Sequence, residues 1–184
     1  MTPPEPAGAG RPRRAVHDFG AFLERLRGAV ADCEANEGLL AVLFVDYDVV
    51  ARLDSARGFE AGNAAHACLV ERMREDVLRA QDSLAEVARG QMACALHPIH
   101  SPGLARLAAN KAMRVLTAPI ALDDTAVHAQ PAIGIALYPE HGRTADRLLM
   151  HARIACRNAR DRHERIAEYS GEQTDPRARA LFLE

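Results

Sequence analysis

Tryptophan is absent from the 184 residues, and aromatic side chains make up only 4% of them. Proteins that hold single strands without reading them combine stacking aromatics with a basic groove. Here 23 basic residues face 25 acidic ones, for a net charge of −2. Both requirements fail, so no nucleic-acid partner is expected. Lysine occurs once, at Lys111, and every other basic residue apart from histidine is Arg. With so many Arg, a single Arg carries little functional signal. No apolar run approaches the roughly 18 residues needed to cross a bilayer. The first ten residues, MTPPEPAGAG, have no apolar stretch of the kind a secretory signal needs. No membrane segment is expected, and the cytoplasm is the expected compartment. The four cysteines, Cys33, Cys68, Cys94 and Cys156, form no C-x-x-C pair. They read as reduced, small core residues. His97 and His100 flank Pro98 in a loop, and two ligands are too few for a metal site.

What is present suits one domain with tails. Residues 1–14 are rich in Pro and Arg and read as a disordered tail. The domain spans 15–170, and 171–184 reads as a loose C-terminal tail. Phe19, Phe22, Leu23, Leu26 and Val30 follow helical spacing, so 17–35 reads as a helix, with Asp18 as cap and Asn36-Glu37-Gly38 as stop. Leu39 to Val45 is apolar on both faces, which predicts a central strand. A short helix over 49–56 follows, Gly58 and Gly62 break the chain, and a long helix covers 63–79. Strands 84–88 and 91–96 flank Arg89-Gly90, a hairpin signal. A helix over 103–117, a long strand over 125–138, a helix over 144–162 and a short strand over 165–169 complete the chain. Pro131 marks a bulge or edge position in the long strand. The order predicts an α+β fold: a ferredoxin-like palm with a central mixed β-sheet surrounded by helices.

Three segments carry a family resemblance. LLAVLFVDYDVVARLDSARGFEAGN (39–63) resembles the opening of GGDEF domains, the diguanylate cyclase family. There an apolar strand ends in Asp-x-Asp and is followed by Gly-His-x-x-Gly-Asp. AIGIALYPEHG (132–142) is similar to the family's Ser-Ile-Gly-Ile-Ala strand and Tyr-Pro turn, and HARIAC lies in a similar closing helix. The resemblance implies a nucleotidyl-cyclase palm and a connection to cyclic di-GMP.

The departures are as informative. The family signature sits on the middle hairpin, where a gapless alignment sets Ala88-Arg89-Gly90-Gln91-Met92 over it and an alternative pairs Ala88-Arg89 with an Ala-Arg before a shortened turn. No acidic residue falls at the tip. Joining two GTP molecules requires divalent metals bridging the phosphates, held by at least two carboxylates. By resemblance Asp46 matches the first metal ligand, but its hairpin partner is missing and Gln91 is neutral. Ala51 replaces a phosphate-side Lys. Asp54 and Asn63 replace a guanine-reading Asn and Asp, and Arg160 stands for a phosphate-binding Lys. Arg79-Ala80-Gln81-Asp82 matches the family's inhibitory Arg-x-x-Asp, which binds cyclic di-GMP, with Lys111 or Arg106 as a second basic contact. The helix before Arg79 is one residue longer than usual.

These readings predict a degenerate GGDEF domain without catalytic residues. It would act as a regulatory module that binds cyclic di-GMP or a protein partner in bacterial signalling, with an oligomer open. The alternatives are a diguanylate cyclase with weak residual activity and a pure protein-interaction domain. No cofactor is expected, and magnesium belongs only to the residual-activity alternative.

Overall fold

The computed structural model describes residues 16–122 and 125–171. The expected tails, 1–14 and 171–184, lie outside the described residues apart from Gly171. Strand β2 (Leu39–Tyr47) organises everything else. Its side chains alternate, and both sets are apolar. Ala41, Leu43 and Val45 enter one core, and Leu40, Val42 and Phe44 enter a second core on the opposite face. A strand buried on both faces needs neighbours on both edges. Strands β4 (Gln91–Ile99) and β7 (Pro131–Tyr138) flank it, both antiparallel. Leu43 lies opposite Ile135, and Val45 opposite Ile133.

With β1 (Val16–His17), β3 (Ser83–Ala88) and β8 (Ile166–Glu168), the sheet order is β1-β3-β4-β2-β7-β8. Its inner four strands have the order of a β-α-β-β-α-β unit, the expected ferredoxin-like palm. Helices α2 (Val49–Arg57), α3 (Phe59–Arg72) and α4 (Pro102–Thr117) cover the Leu43 face. Helices α1 (Phe19–Asn36) and α5 (Ala145–Asp161) cover the Phe44 face. Asp18 caps α1 as expected, its Oδ1 accepting from the Ala21 amide at 2.9 Å. Glu37 ends the helix in the left-handed conformation, at φ 51°. Cys33, Cys94 and Cys156 are buried and Cys68 half-buried, all free. Burial pushes the Cys33 thiol up to about 11, which suits an inert core residue.

Several boundaries differ from the expectation. The 125–138 strand is two strands: β6 (Thr125–Val127) pairs with β5 (Ile120–Leu122) in a separate ribbon, and β7 starts afresh at Pro131. Proline at the first position of a strand loses no ladder bond, so no bulge is needed. β4 continues through Pro98 to Ile99, so His97 is in a strand and not a loop; its Nε2 meets Asp32 at 3.0 Å. α3 starts at Phe59, because only Gly58 (φ 87°) breaks the chain. Gly62 is helical. A π-helical turn, Met73–Val77, follows α3, closed by Leu78 N–H donating to Met73 O at 3.1 Å. A π turn is how a helix absorbs one extra residue.

Gly134 fixes how α5 seats on the sheet. A Cβ there would lie 2.0 Å from Ala152 O and 2.2 Å from Cys156 N, both backbone atoms that cannot swing aside. Gly134→Ala is expected to lower the unfolding free energy by about 3 kcal/mol, the upper end for overpacking, read from the shift in urea midpoint.

Candidate functional site

The cleft at the end of β2 is built from three distant segments. The β2–β4 register sets Asp46 opposite Gln91, and Gln91 Nε2 donates to Asp46 Oδ2 at 2.7 Å. From α5, Arg160 Nη2 meets Asp46 Oδ1 at 2.6 Å and also donates to Asp46 O at 3.0 Å. The carboxylate therefore holds an amide on one oxygen and a guanidinium on the other. A divalent ion bound to it would sit within a few ångströms of that fixed positive charge and be repelled. Among the described residues, no three His, Cys, Asp or Glu side chains converge as metal ligands. The residues present do not fit a magnesium centre. Asp48, the second acid of the Asp-x-Asp, is used structurally: it pairs with Arg52 at 2.8 Å and accepts from the Gln130 amide at 3.1 Å. A polar cleft of about 570 Å³ opens beside Arg160, lined also by Asp48, His128, His163 and Arg165.

The hairpin between β3 and β4 turns in two residues, Arg89 and Gly90, with Ala88 opposite Gln91. Gly90 has φ 81°, and a Cβ there would lie 2.9 Å from Tyr47 O, so both its conformation and its contact require glycine. Its carbonyl accepts from the Tyr47 amide at 2.9 Å. Met92 points into the core and Ala88 is exposed.

Arg89 reaches across to the helices. Its Nε and Nη2 donate to Asp54 Oδ2 and Oδ1 at 2.6 and 2.5 Å, and its Nη1 donates to Asn63 Oδ1 at 2.7 Å. The guanidinium lies 5.4 Å from the centre of the Phe59 ring. The hydrogen bonds from Arg89 hold the Asp54 carboxyl below its usual value, and the same pair raises Arg89. Gly62 makes room for this: a Cβ there would fall 1.9 Å from Asp54 Oδ1 and 2.8 Å from Arg89 Nη2. Gly62 is thus a close-approach glycine inside a helix and not a breaker.

Arg79 and Asp82 do come together, but with each other. Asp82 accepts from Arg79 Nε at 3.0 Å, Arg79 Nη2 at 2.7 Å, and the amides of Arg79 and His97 at 2.8 and 3.2 Å. The Asp82 side chain is 1% exposed, against 41% for Arg79. Lys111 is exposed on α4. Arg106 pairs with Glu168 at 2.8 Å.

Sequence reasoning also missed a network below the tip. Tyr47 Oη lies 2.6 Å from His66 Nδ1, and His66 Nε2 lies 2.9 Å from Glu86. Burial drives the Tyr47 phenol well above its ordinary value, so it stays neutral. The network ties β2 to α3 and β3 just below the hairpin tip. Its three residues share no sequence pattern.

Residues 18–165 match the family model described as "Diguanylate cyclase, GGDEF domain". The α+β palm, the Asp-x-Asp strand and the hairpin beside it are parts of that family's fold, and the chain belongs to it. It is 35% identical over 159 residues to the diguanylate cyclase TpbB of Pseudomonas aeruginosa, covering 85% of this chain and 36% of TpbB. The chain thus spans just over a third of that relative's length. The crystal structure of the TpbB GGDEF domain superposes with a TM-score of 0.78 at 32% identity, covering 85% of this chain and 99% of that one. The GGDEF domain of DgcB from Caulobacter crescentus, solved in complex with c-di-GMP, shares the fold with a TM-score of 0.73 at 15% identity, over 89% and 98% of the two chains.

Proposed function

We propose that this GGDEF domain is non-catalytic and acts as a regulatory module of cyclic di-GMP signalling in the cytoplasm. One observation carries the reading. Asp46, the residue at the family's metal-ligand position, is neutralised by Arg160 at 2.6 Å and capped by Gln91, and no carboxylate stands at the hairpin tip, Ala88 to Met92, to replace it. In-line attack on an α-phosphate needs metal charge at that point, and an arginine cannot bridge phosphates as a coordinated metal does. Purified protein given GTP with Mg²⁺ or Mn²⁺ should form no cyclic di-GMP.

The ligand in this reading is cyclic di-GMP, held by Arg79 with Lys111 as a second basic group. The Asp82 pair uses Nε and Nη2 of Arg79, and much of the Arg79 side chain faces solvent. Its guanidinium can still meet a phosphate or guanine edge. Asp82 acts by aiming Arg79, since it is buried. Calorimetric titration is expected to show Arg79→Ala weakening cyclic di-GMP about tenfold to a hundredfold, the size of a hydrogen bond to a charged group. The closed Arg79–Asp82 pair also favours a second reading, a protein-interaction domain that binds no nucleotide. Absence of binding by the unaltered chain would select it.

A further inference from the structure

A second hollow lies away from the Asp46 cleft, under α1. Ser83 and Ala95 stand opposite each other on β3 and β4, so their side chains share one face of the sheet, the face that α1 covers. On the helix side the hollow meets Gly28 and Ala29. Small residues facing one another leave a pocket of about 320 Å³ there. No tight contact demands the glycine, since a Cβ on Gly28 would meet nothing within 4 Å. Ser83 is 5% exposed, and among the described residues its hydroxyl has no hydrogen-bond partner. Buried hydroxyls are as a rule paired, and this unpaired one lines the pocket.

Arg25 stands at one end of the pocket, exposed and without an ion pair or hydrogen bond among the described residues. Its charge reaches His17, which burial first and Arg25 second hold below the ordinary histidine value. Asp32 lies two helical turns on, about 10 Å away, and its polar groups are already matched. It accepts from Asn36 Nδ2 at 2.8 Å and meets His97 Nε2 at 3.0 Å. The pocket thus brings an uncommitted cation and an uncommitted hydroxyl together over small apolar surface.

We propose that this pocket binds a short-chain monocarboxylate, its oxygens on the Arg25 guanidinium and the Ser83 hydroxyl and its aliphatic end against Gly28, Ala29 and Ala95. A guanidinium fork matches a carboxylate, and a serine hydroxyl donates to it as well. A doubly charged oxyanion fits worse. Arg25 supplies a single compensating charge, and the carboxylates of Asp32 and of Asp82, next in the chain to Ser83, repel a second negative charge. The site uses neither the Asp46 cleft nor Arg79, so it stands whether or not the chain binds or makes cyclic di-GMP.

Sodium butyrate is titrated into the full chain while its amide shifts are followed by heteronuclear NMR. Butyramide, sodium phosphate and sodium chloride at matched ionic strength serve as comparisons. Butyrate should give saturable shifts at Gly28 and Ala95. Butyramide and chloride should give none, and phosphate should bind more weakly than butyrate. Arg25→Ala should weaken butyrate about tenfold or more, the size of a hydrogen bond to a charged group. Gly28→Leu adds bulk where space is open and improves helix propensity, so it should melt no earlier than the unaltered chain and bind no butyrate. If it does melt earlier, Ser83→Ala decides, since it removes an unpaired buried hydroxyl and should leave the fold as stable while weakening butyrate about threefold or more. Absence of saturable shifts overturns the site. So do equal shifts with butyramide, chloride or phosphate, or undiminished affinity in Arg25→Ala or in the deciding pocket variant.

Discussion

Replacing Leu43 with Ala will lower the unfolding free energy by about 2–5 kcal/mol. Leu43 is fully buried at the middle of β2, opposite Cys94 on one side and Ile135 on the other. Truncation removes apolar area that folding had taken from water and leaves a cavity the paired strands cannot close. Denaturant melts of Leu43→Ala against the unaltered chain measure the loss. A change below about half a kcal/mol, the size of an ordinary surface substitution, would contradict the placement of β2 at the sheet centre.

Asp82→Ala is the second large effect. Asp82 anchors the turn between the π-helical segment and β3, gathering two amides and the Arg79 fork on one buried carboxylate. Its removal leaves the Arg79 and His97 amides without their acceptor. Breaking a fully buried pair costs about 3–5 kcal/mol, and the exposed Arg79 end, screened by water, brings the expectation to about 3 kcal/mol. The same melts measure it. A residue serving only a ligand would be removed at almost no cost in the unliganded chain, so the size of this loss separates the aiming role from a direct contact.

The elements legible in the sequence were those with a local signature. β2 showed itself by seven apolar residues in a row, the hairpin by Arg89-Gly90, and α1 by its spacing and its Asp18 cap. Strands β1 and β5 were not legible, because two or three residues carry no periodicity and owe their form to the neighbours they pair with. Gly62 was misread because a glycine that breaks a helix and one that admits a close neighbour look alike until the neighbour is known. The site was legible in its losses and not in its replacements. That the hairpin tip lacks an acid could be read directly. That Arg89 fills the space beside Asp54 and Asn63 could not, since the partners lie 35 and 26 residues away. In a chain where nearly every basic residue is Arg, no single one stands out. Arg160 was placed at a phosphate-binding position by resemblance, yet folding brings it onto Asp46, 114 residues away.

Product analysis decides whether the Asp46 cleft performs phosphoryl transfer. The purified chain is incubated with GTP and either Mg²⁺ or Mn²⁺, and the mixture is resolved chromatographically for cyclic di-GMP. No product above a protein-free control is expected with either metal. Cyclic di-GMP formed by the unaltered chain and abolished in Asp46→Asn would contradict it.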